Sequence, residues 1–457
     1  MVTRFVRLAA LVCGGTLCGA PATAQSPPPA SSDAPVVTLD PQVTRALTTV
    51  SAARLRADDE RLVGFGTRNA LSERLASRTR GITAARDWIA ERFREIARAS
   101  GRRMTVTFDD YVQPATPRTG RPVAVSSIVA TLRGDDPQRG LWVMSSHYDD
   151  CNGNCRDPVG DAPGADDNGS AVSAVLEAAR ALAPLHLRGT LAFVCFDGED
   201  QGLWGSEHYA KTLRAAGVRV EGNLNNDIIG ASVAHDGRSV ADEARLFSEA
   251  LPLGAVPRTV NLIGTENDSP SRELARAVRE IDGAYVPAVQ DHLIYRADRF
   301  LRGGDQESFT AVGYPAVRFV EGAENFDHQH QNVRVEDGVQ YGDLPRFLDF
   351  DYLAHVTQLN VAALATLALA PAAPVVTLAA KKLGYDTALA WNAVPAAASY
   401  EVLWRRTDEP TWTHAKNVGN VASATLPLSK DDWIFGVRSM DGAGHASVAV
   451  YPTPLLR

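Results

Sequence analysis

The sequence has no basic excess. Its 46 Lys and Arg stand against 54 Asp and Glu, a formal net charge of −8. A nucleic-acid partner is therefore excluded, because nothing replaces phosphate counterions. Cysteine is scarce, with five in 457 residues, and two of them, Cys13 and Cys18, fall in an apolar N-terminal run. That run, from Leu8 to about Ala20, is too short to span a bilayer comfortably. A second apolar stretch, 349–370, carries Gln358 and Asn360 and is followed by Pro371 and Pro374. It reads as a buried core helix, so no stable membrane insertion is expected. Compositional bias toward disorder is also missing, at 45% hydrophobic and 22% charged residues. No internal repeat is visible.

What is present begins with a leader. Arg4 and Arg7 precede the apolar run, and Ala22-Thr23-Ala24 is an A-x-A cleavage site. Residues 1–24 are thus expected to be a signal peptide, and the chain to be secreted or periplasmic. Residues 25–55 form a lead or pro-segment that starts with the Ser/Pro-rich Ser26-Pro27-Pro28-Pro29. Three cysteines remain. Cys151 and Cys155 share a Gly/Asn-rich loop and read as a small disulfide or a metal pair. Cys195, in Leu191-Ala192-Phe193-Val194-Cys195-Phe196, reads as a buried thiol.

Apolar periodicity predicts helices near 40–56 and 83–100. From about 104 strands and helices alternate: strands at 104–109, 126–132, 141–147, 190–196 and 223–229, helices at 168–183 and 205–216. A long helix at 349–370 closes the domain. Strands joined through helices imply an α/β fold, with a mixed, largely parallel sheet covered on both faces. In such sheets the loops at the carboxyl ends of strands carry the chemistry. The segment 56–371 is read as this domain. After Pro371-Ala372-Ala373-Pro374, short strands at 388–391, 400–405 and 433–438 predict an all-β sandwich over 375–457.

Polar groups gather at those strand ends. Ser145-Ser146-His147-Tyr148-Asp149 puts His147 and Asp149 two residues apart, on one face of an extended chain. An imidazole ligand needs its other ring nitrogen held by an acceptor, and Asp149 is placed for that. Gly164-Ala165-Asp166-Asp167-Asn168-Gly169 opens a helix with two acids; capping explains one of them, and a shared metal carboxylate explains the other. Asp197-Gly198-Glu199-Asp200 ends a strand, so one acid can bind a metal while its neighbour stays free to accept a proton. Asp227 ends another strand. Asn325-Phe326-Asp327-His328-Gln329-His330 offers two late histidines. Each motif alone has a bland reading as a surface loop, cap or turn. Jointly they give oxygen and imidazole ligands without thiolate, a set that suits catalytic zinc.

These residues resemble peptidase family M28: HYD at 147–149, GADDNGSA at 164–171, GEDQGLWGSEHY at 198–209, NDIIG at 226–230, then a downstream His. The resemblance covers about 55–370 and implies a three-layer α/β/α sandwich with two zinc ions per chain. It implies that His147 and Asp227 bind one zinc, and Asp200 and a late His, His330 in preference to His328, the other. Asp166 would bridge both, through a cis peptide to Asp167. Glu199 would be the general base and Asp149 the residue that orients His147. Asp200 replaces the usual Glu, and Gln306 replaces a His that often follows Asp305 in Gly303-Gly304-Asp305. The tail, through Trp391, Tyr400, Val402, Trp433, Phe435 and Val437, is similar to a fibronectin type III module of unknown partner. The implied activity is removal of N-terminal residues from peptides with a free N-terminus. The rivals are a single-zinc glutaminyl cyclase and a non-enzymatic cell-surface binding protein.

Overall fold

The computed structural model describes residues 34–101, 103–250, 266–380 and 383–455. The leader, its cleavage site, Cys13 and Cys18 lie outside the described residues.

Eight strands form the central sheet: β1 (Met104–Gln113), β2 (Val123–Leu132), β3 (Leu141–His147), β4 (Thr190–Phe196), β5 (Val220–Asn226), β6 (Glu243–Ser248), β7 (Gln290–Ile294) and β8 (Ala316–Glu321). Their order is β1-β2-β4-β3-β5-β8-β6-β7. The centre, β4-β3-β5-β8, is parallel, while β2 joins β4 and β6 joins β8 antiparallel. The sheet is therefore mixed, with a parallel core.

Alternation along the strands divides the interior into two layers. Trp142, Met144, Leu191, Phe193 and Cys195 face one way and join the larger core. Leu141, Val143, Ala192, Val194 and Phe196 face the other way. Such period-two burial on both faces requires helices above and below. The larger core is covered by α1 (Pro41–Leu47), α2 (Ala52–Val63), α3 (Ile82–Ala99), α4 (Ala171–Leu182), α6 (Pro270–Tyr285) and α8 (Phe350–Leu369). On the other side α5 (Trp204–Ala215) contributes Tyr209 and Ala210, and α7 (Gln306–Ala311) contributes Phe309.

Helix α8 is long and apolar enough to cross a membrane, yet it packs inside the domain against α1, α2, α4 and α6. The helix expected over 40–56 is two helices. Ser51 ends the first path and caps the second, its side chain accepting the Arg54 N–H. The described part of the lead is not a loose appendage either. Val43, Ala46 and Leu47 are buried in the core, and α2 crosses the expected boundary at 56. The body therefore begins at α1.

A short antiparallel hairpin pairs β9 (Arg334–Glu336) with β10 (Val339–Tyr341). The tail has two sheets. One holds β11 (Val376–Ala379), β12 (Thr387–Trp391), β15 (Ser423–Leu426) and β17 (Thr453–Leu455); the other holds β13 (Ser399–Arg406), β14 (His414–Gly419) and β16 (Trp433–Met440). Trp391, Tyr400, Val402, Phe435 and Val437 fill the space between them, with Trp433 packed at the edge. Alternate residues of β13 face the α/β body. Arg405 pairs with Asp268, Trp412 Nε1 donates to Glu273 at 3.1 Å, and Arg438 meets Glu280 at 2.9 Å. Buried charges that are mutually paired hold the two bodies in a fixed register, since separating them strands each partner.

Candidate metal centre

Strands β3, β4 and β5 run parallel and end level with one another, His147 opposite Phe196 and Ser145 opposite Asn225. This shared edge brings four distant sequence motifs together. His147 is the last residue of β3 and is fully buried. Its Nδ1 lies 3.1 Å from the Asp149 carbonyl oxygen and 3.5 Å from the Asp149 carboxylate. Its Nε2 points the other way, 3.3 Å from Asp167 Oδ1 and 3.4 Å from Asp227 Oδ1.

The turn at 165–170 sets the second motif. Gly164 enters it at φ 52°, and a Cβ there would come within 2.6 Å of the Arg68 guanidinium, so only glycine fits. Asp343 clamps the turn from outside, accepting the N–H of Asp166 at 2.8 Å and of Asp167 at 2.7 Å. The two acids then diverge. Asp167 presents Oδ1 to His147 and Oδ2 to His330, at 2.9 Å. Asp166 turns back, accepting the Gly230 N–H at 2.7 Å and facing Glu321. The expected bridging role of Asp166 is therefore corrected: the carboxylate between the histidines is that of Asp167. Successive residues of a tight turn project in opposite directions, and sequence spacing does not show which one faces the cleft. The cis peptide is likewise one residue later, between Asp167 and Asn168.

After β4 the chain reverses at Gly198, φ 77°, where an added Cβ would strike Trp204 at 2.8 Å. Asp149 catches the next two residues by their main chain: Oδ1 accepts the Glu199 N–H at 3.1 Å and Oδ2 the Asp200 N–H at 3.2 Å. Asp149 thus orients the acidic pair as well as lying against His147. Asp200 Oδ1 faces His330 Nε2 at 3.1 Å. Of the two late histidines, His330 reaches the cluster, whereas His328 stacks on Phe347 with ring centroids 3.6 Å apart. Asp227 follows β5, and its Oδ2 is held by Arg318 at 2.7 Å.

Three further neighbours carry little signal in the sequence. Arg318 is fully buried in β8 and ties Asp227 to Asp298. Its signal was a guanidinium inside the apolar run Val317-Arg318-Phe319-Val320. Asp305 was seen only as part of a loop. It is buried, and neither carboxyl oxygen has a hydrogen-bond partner among the described residues. Burial pushes it up to about 7, against the pull of His147. Asp343 gave no signal beyond its place after Gly342.

The electrostatics call for cations. Asp149, Asp167, Glu199, Asp200 and Asp227 surround two imidazoles. Burial drives Glu199 well above its ordinary range despite His147, and Asp227 and Asp200 add to the push. Burial would raise Asp167 too, but His330 and His147 hold it well below the usual carboxylate range. Asp200 Oδ2 and Asp227 Oδ1 have no hydrogen-bond partner among the described residues. Buried carboxyl oxygens left bare are costly unless a cation takes them. The donor atoms of His147, Asp167 and Asp227 lie within 4.8 Å of one another. Ligands about 2.1 Å from a tetrahedral zinc stand roughly 3.4 Å apart. The 3.3 and 3.4 Å separations around His147 match that edge, and those around His330, at 2.9 and 3.1 Å, are slightly tighter. The residues around His147 fit a zinc ion, and Asp167 Oδ2 and Asp200 Oδ1 bring two further carboxylate oxygens to His330 Nε2. Cys151 and Cys155 lie beside Asp200 and His330 but are joined to each other as a disulfide, so they offer no thiolate. Cys195 is a free, buried thiol, pushed up to about 12 by burial.

Residues 127–347 match peptidase family M28. A probable zinc metalloprotease of Leptosphaeria maculans is 45% identical over 411 residues, covering 89% of this chain and 95% of that protein. The chain belongs to peptidase family M28. A probable zinc metalloprotease of Pyricularia oryzae is 44% identical over 449 residues, covering 95% of this chain and 89% of that protein. Membership carries the coarse chemistry, a peptidase and hence a hydrolase. Among solved structures, the Legionella pneumophila LapA aminopeptidase superposes with a TM-score of 0.51 at 19% identity, covering 73% of this chain and 77% of that one. LapB from the same organism gives 0.53 at 18%, covering 74% and 78%. At such identities these two agree with the M28 chain in fold alone.

Proposed function

We propose that this M28 protein is a secreted aminopeptidase with two zinc ions, cutting the N-terminal residue from peptides with Glu199 as general base. One observation carries the reading: the two oxygens of Asp167 face two different imidazoles, each already flanked by a further carboxylate, Asp227 beside His147 and Asp200 beside His330. In this reading His147, Asp167 and Asp227 hold one ion, and His330, Asp167 and Asp200 the other. Zinc bound there supplies a Lewis acid that lowers the pKa of water and draws charge from the scissile carbonyl oxygen.

The rest falls to the chain's own groups. Glu199 lines a cavity of about 260 Å³ together with Asp167, Asp200, Asp227 and His330. Its carboxylate makes no hydrogen bond among the described residues, while its main chain is fixed by Asp149. It is free to take the proton of the attacking water and to return it to the leaving amine. The acidic floor suits the α-ammonium of a free N-terminus. Arg318 keeps Asp227 ionised and aimed at the cleft, with its other oxygen turned away. The C-terminal sandwich is read as a fibronectin type III-like module.

Glu199→Gln tests the assignment. Zinc content should equal that of the wild type while turnover of leucine p-nitroanilide falls by about 10³-fold or more. Wild-type turnover in the variant would remove Glu199 from this role.

A further inference from the structure

The cavity above the metal centre has a second chemical end. Beside its acids it is lined by Arg118, Arg299 and Arg302. Arg299 is already committed, paired with Asp298 and Glu324. The guanidinium groups of Arg118 and Arg302 make no ion pair, hydrogen bond or ring contact among the described residues, and both residues are exposed. They come from separate parts of the chain, Arg118 from the β1–β2 loop and Arg302 from the loop before α7, and line the same cavity. Next to Arg302, Leu301 also lines the cavity. It is fully exposed and sits at φ 58°, in the left-handed region that non-glycine residues seldom adopt.

Such an arrangement of charges is specific. In a chain of net charge −8, two unpaired cations share one cavity with Asp167, Glu199, Asp200 and Asp227 without pairing to them. The acids attract an ammonium group; the arginines attract a carboxylate. Guanidinium binds carboxylate in a planar two-point contact.

We propose that Arg118 and Arg302 form a carboxylate-binding subsite, and that the substrates are short peptides whose negative charge lies across the cavity from the α-ammonium. The inference rests on the aminopeptidase reading for its orientation. Two sources share this chemistry: the C-terminal carboxylate of a dipeptide or tripeptide, and an acidic side chain.

The experiment compares Leu-Leu with Leu-Leu-amide, and glutamate p-nitroanilide with leucine p-nitroanilide, on the zinc-loaded wild type and on the Arg118→Gln/Arg302→Gln double variant. Calorimetric binding of the same two dipeptides, and of Glu-Leu-amide, to Glu199→Gln protein, with and without the arginine changes, gives a readout independent of turnover. A C-terminal source predicts that the wild type favours Leu-Leu over its amide by about tenfold or more in KM and in Kd, and that the double variant loses this ratio. A side-chain source predicts the same loss for the glutamate-to-leucine ratio instead. Turnover of leucine p-nitroanilide should stay within about twofold in either case. If both ratios are the same in wild type and variant, the subsite is overturned while the aminopeptidase reading stands. If leucine p-nitroanilide is not cleaved by the wild type but calorimetry still shows the carboxylate preference, the aminopeptidase reading fails and the subsite survives. If calorimetry shows no preference either, and Glu-Leu-amide binds no more tightly than Leu-Leu-amide, the subsite falls with it.

Discussion

Asp149 holds Glu199 by the main chain, its Oδ1 accepting the Glu199 N–H at 3.1 Å. Glu199, the proposed base, is therefore positioned from behind, leaving its carboxylate free for the cleft. Because the other Asp149 oxygen holds Asp200, one side chain sets both acids. Asp149→Ala should lower kcat by about 10²-fold and weaken zinc binding by roughly 10–100-fold, the usual effect of losing a group that orients ligands. Stopped-flow chelator competition and steady-state kinetics measure the two. An effect on one quantity alone would show that the two grips are not coupled.

Asp166 and Asp167 are adjacent but unequal. Asp167→Asn should abolish tight binding at both ions, because its carboxylate is the only one facing both His147 and His330 among the described residues. Asp166→Asn should leave zinc content unchanged and act on stability, through the Gly230 N–H that Asp166 accepts. Its expected cost is about 1–3 kcal/mol, the range for a disturbed buried hydrogen bond. Metal analysis beside denaturant unfolding separates the variants. The opposite pattern would return the bridging role to Asp166.

A buried acid pair far from the metal centre gives a pH signature. Asp282 on α6 and Asp291 on β7 face each other, and neither carboxyl has another hydrogen-bond partner among the described residues. Burial and Asp291 hold Asp282 well above its ordinary range, and burial pushes Asp291 up to about 6. Both folded values lie above the unfolded value near 3.9. The native state thus binds these protons more tightly. The associated stability is complete below about pH 4 and is lost as pH rises through 6 and beyond. Asp282→Asn keeps a donor toward Asp291 and removes one ionisation. The variant should gain roughly 1–3 kcal/mol relative to wild type between pH 5 and pH 8. Unfolding midpoints that shift equally at both pH values would contradict the pairing.

Most of the fold was legible because its signals are local. Alternation in Leu141-Trp142-Val143-Met144 and in Leu191-Ala192-Phe193-Val194 marked β3 and β4, and the polar residues that follow them marked the edge where chemistry occurs. The region from 240 to 320 was not read as strands. Its short members, β6, β7 and β8, are recognisable only once their cross-strand partners are known. At the candidate metal centre, His147 lies against Asp227 and His330 against Asp200. The choice between Asp166 and Asp167 was not local. It depends on Asp343, nearly 180 residues away, which grips the turn and fixes which carboxylate faces the cleft. Arg318 was hidden for a related reason: a buried charge looks anomalous in sequence until its partners, Asp227 and Asp298, are placed.

The proposed centre needs one carboxylate to serve two ions, and counting zinc per chain in the purified protein tests that most directly. Elemental analysis should give two zinc ions for the wild type and one for His330→Ala, with His147 and Asp227 retaining the first. A single zinc in the wild type, unchanged by His330→Ala, would contradict the two-ion centre and favour cyclase-like chemistry with one metal.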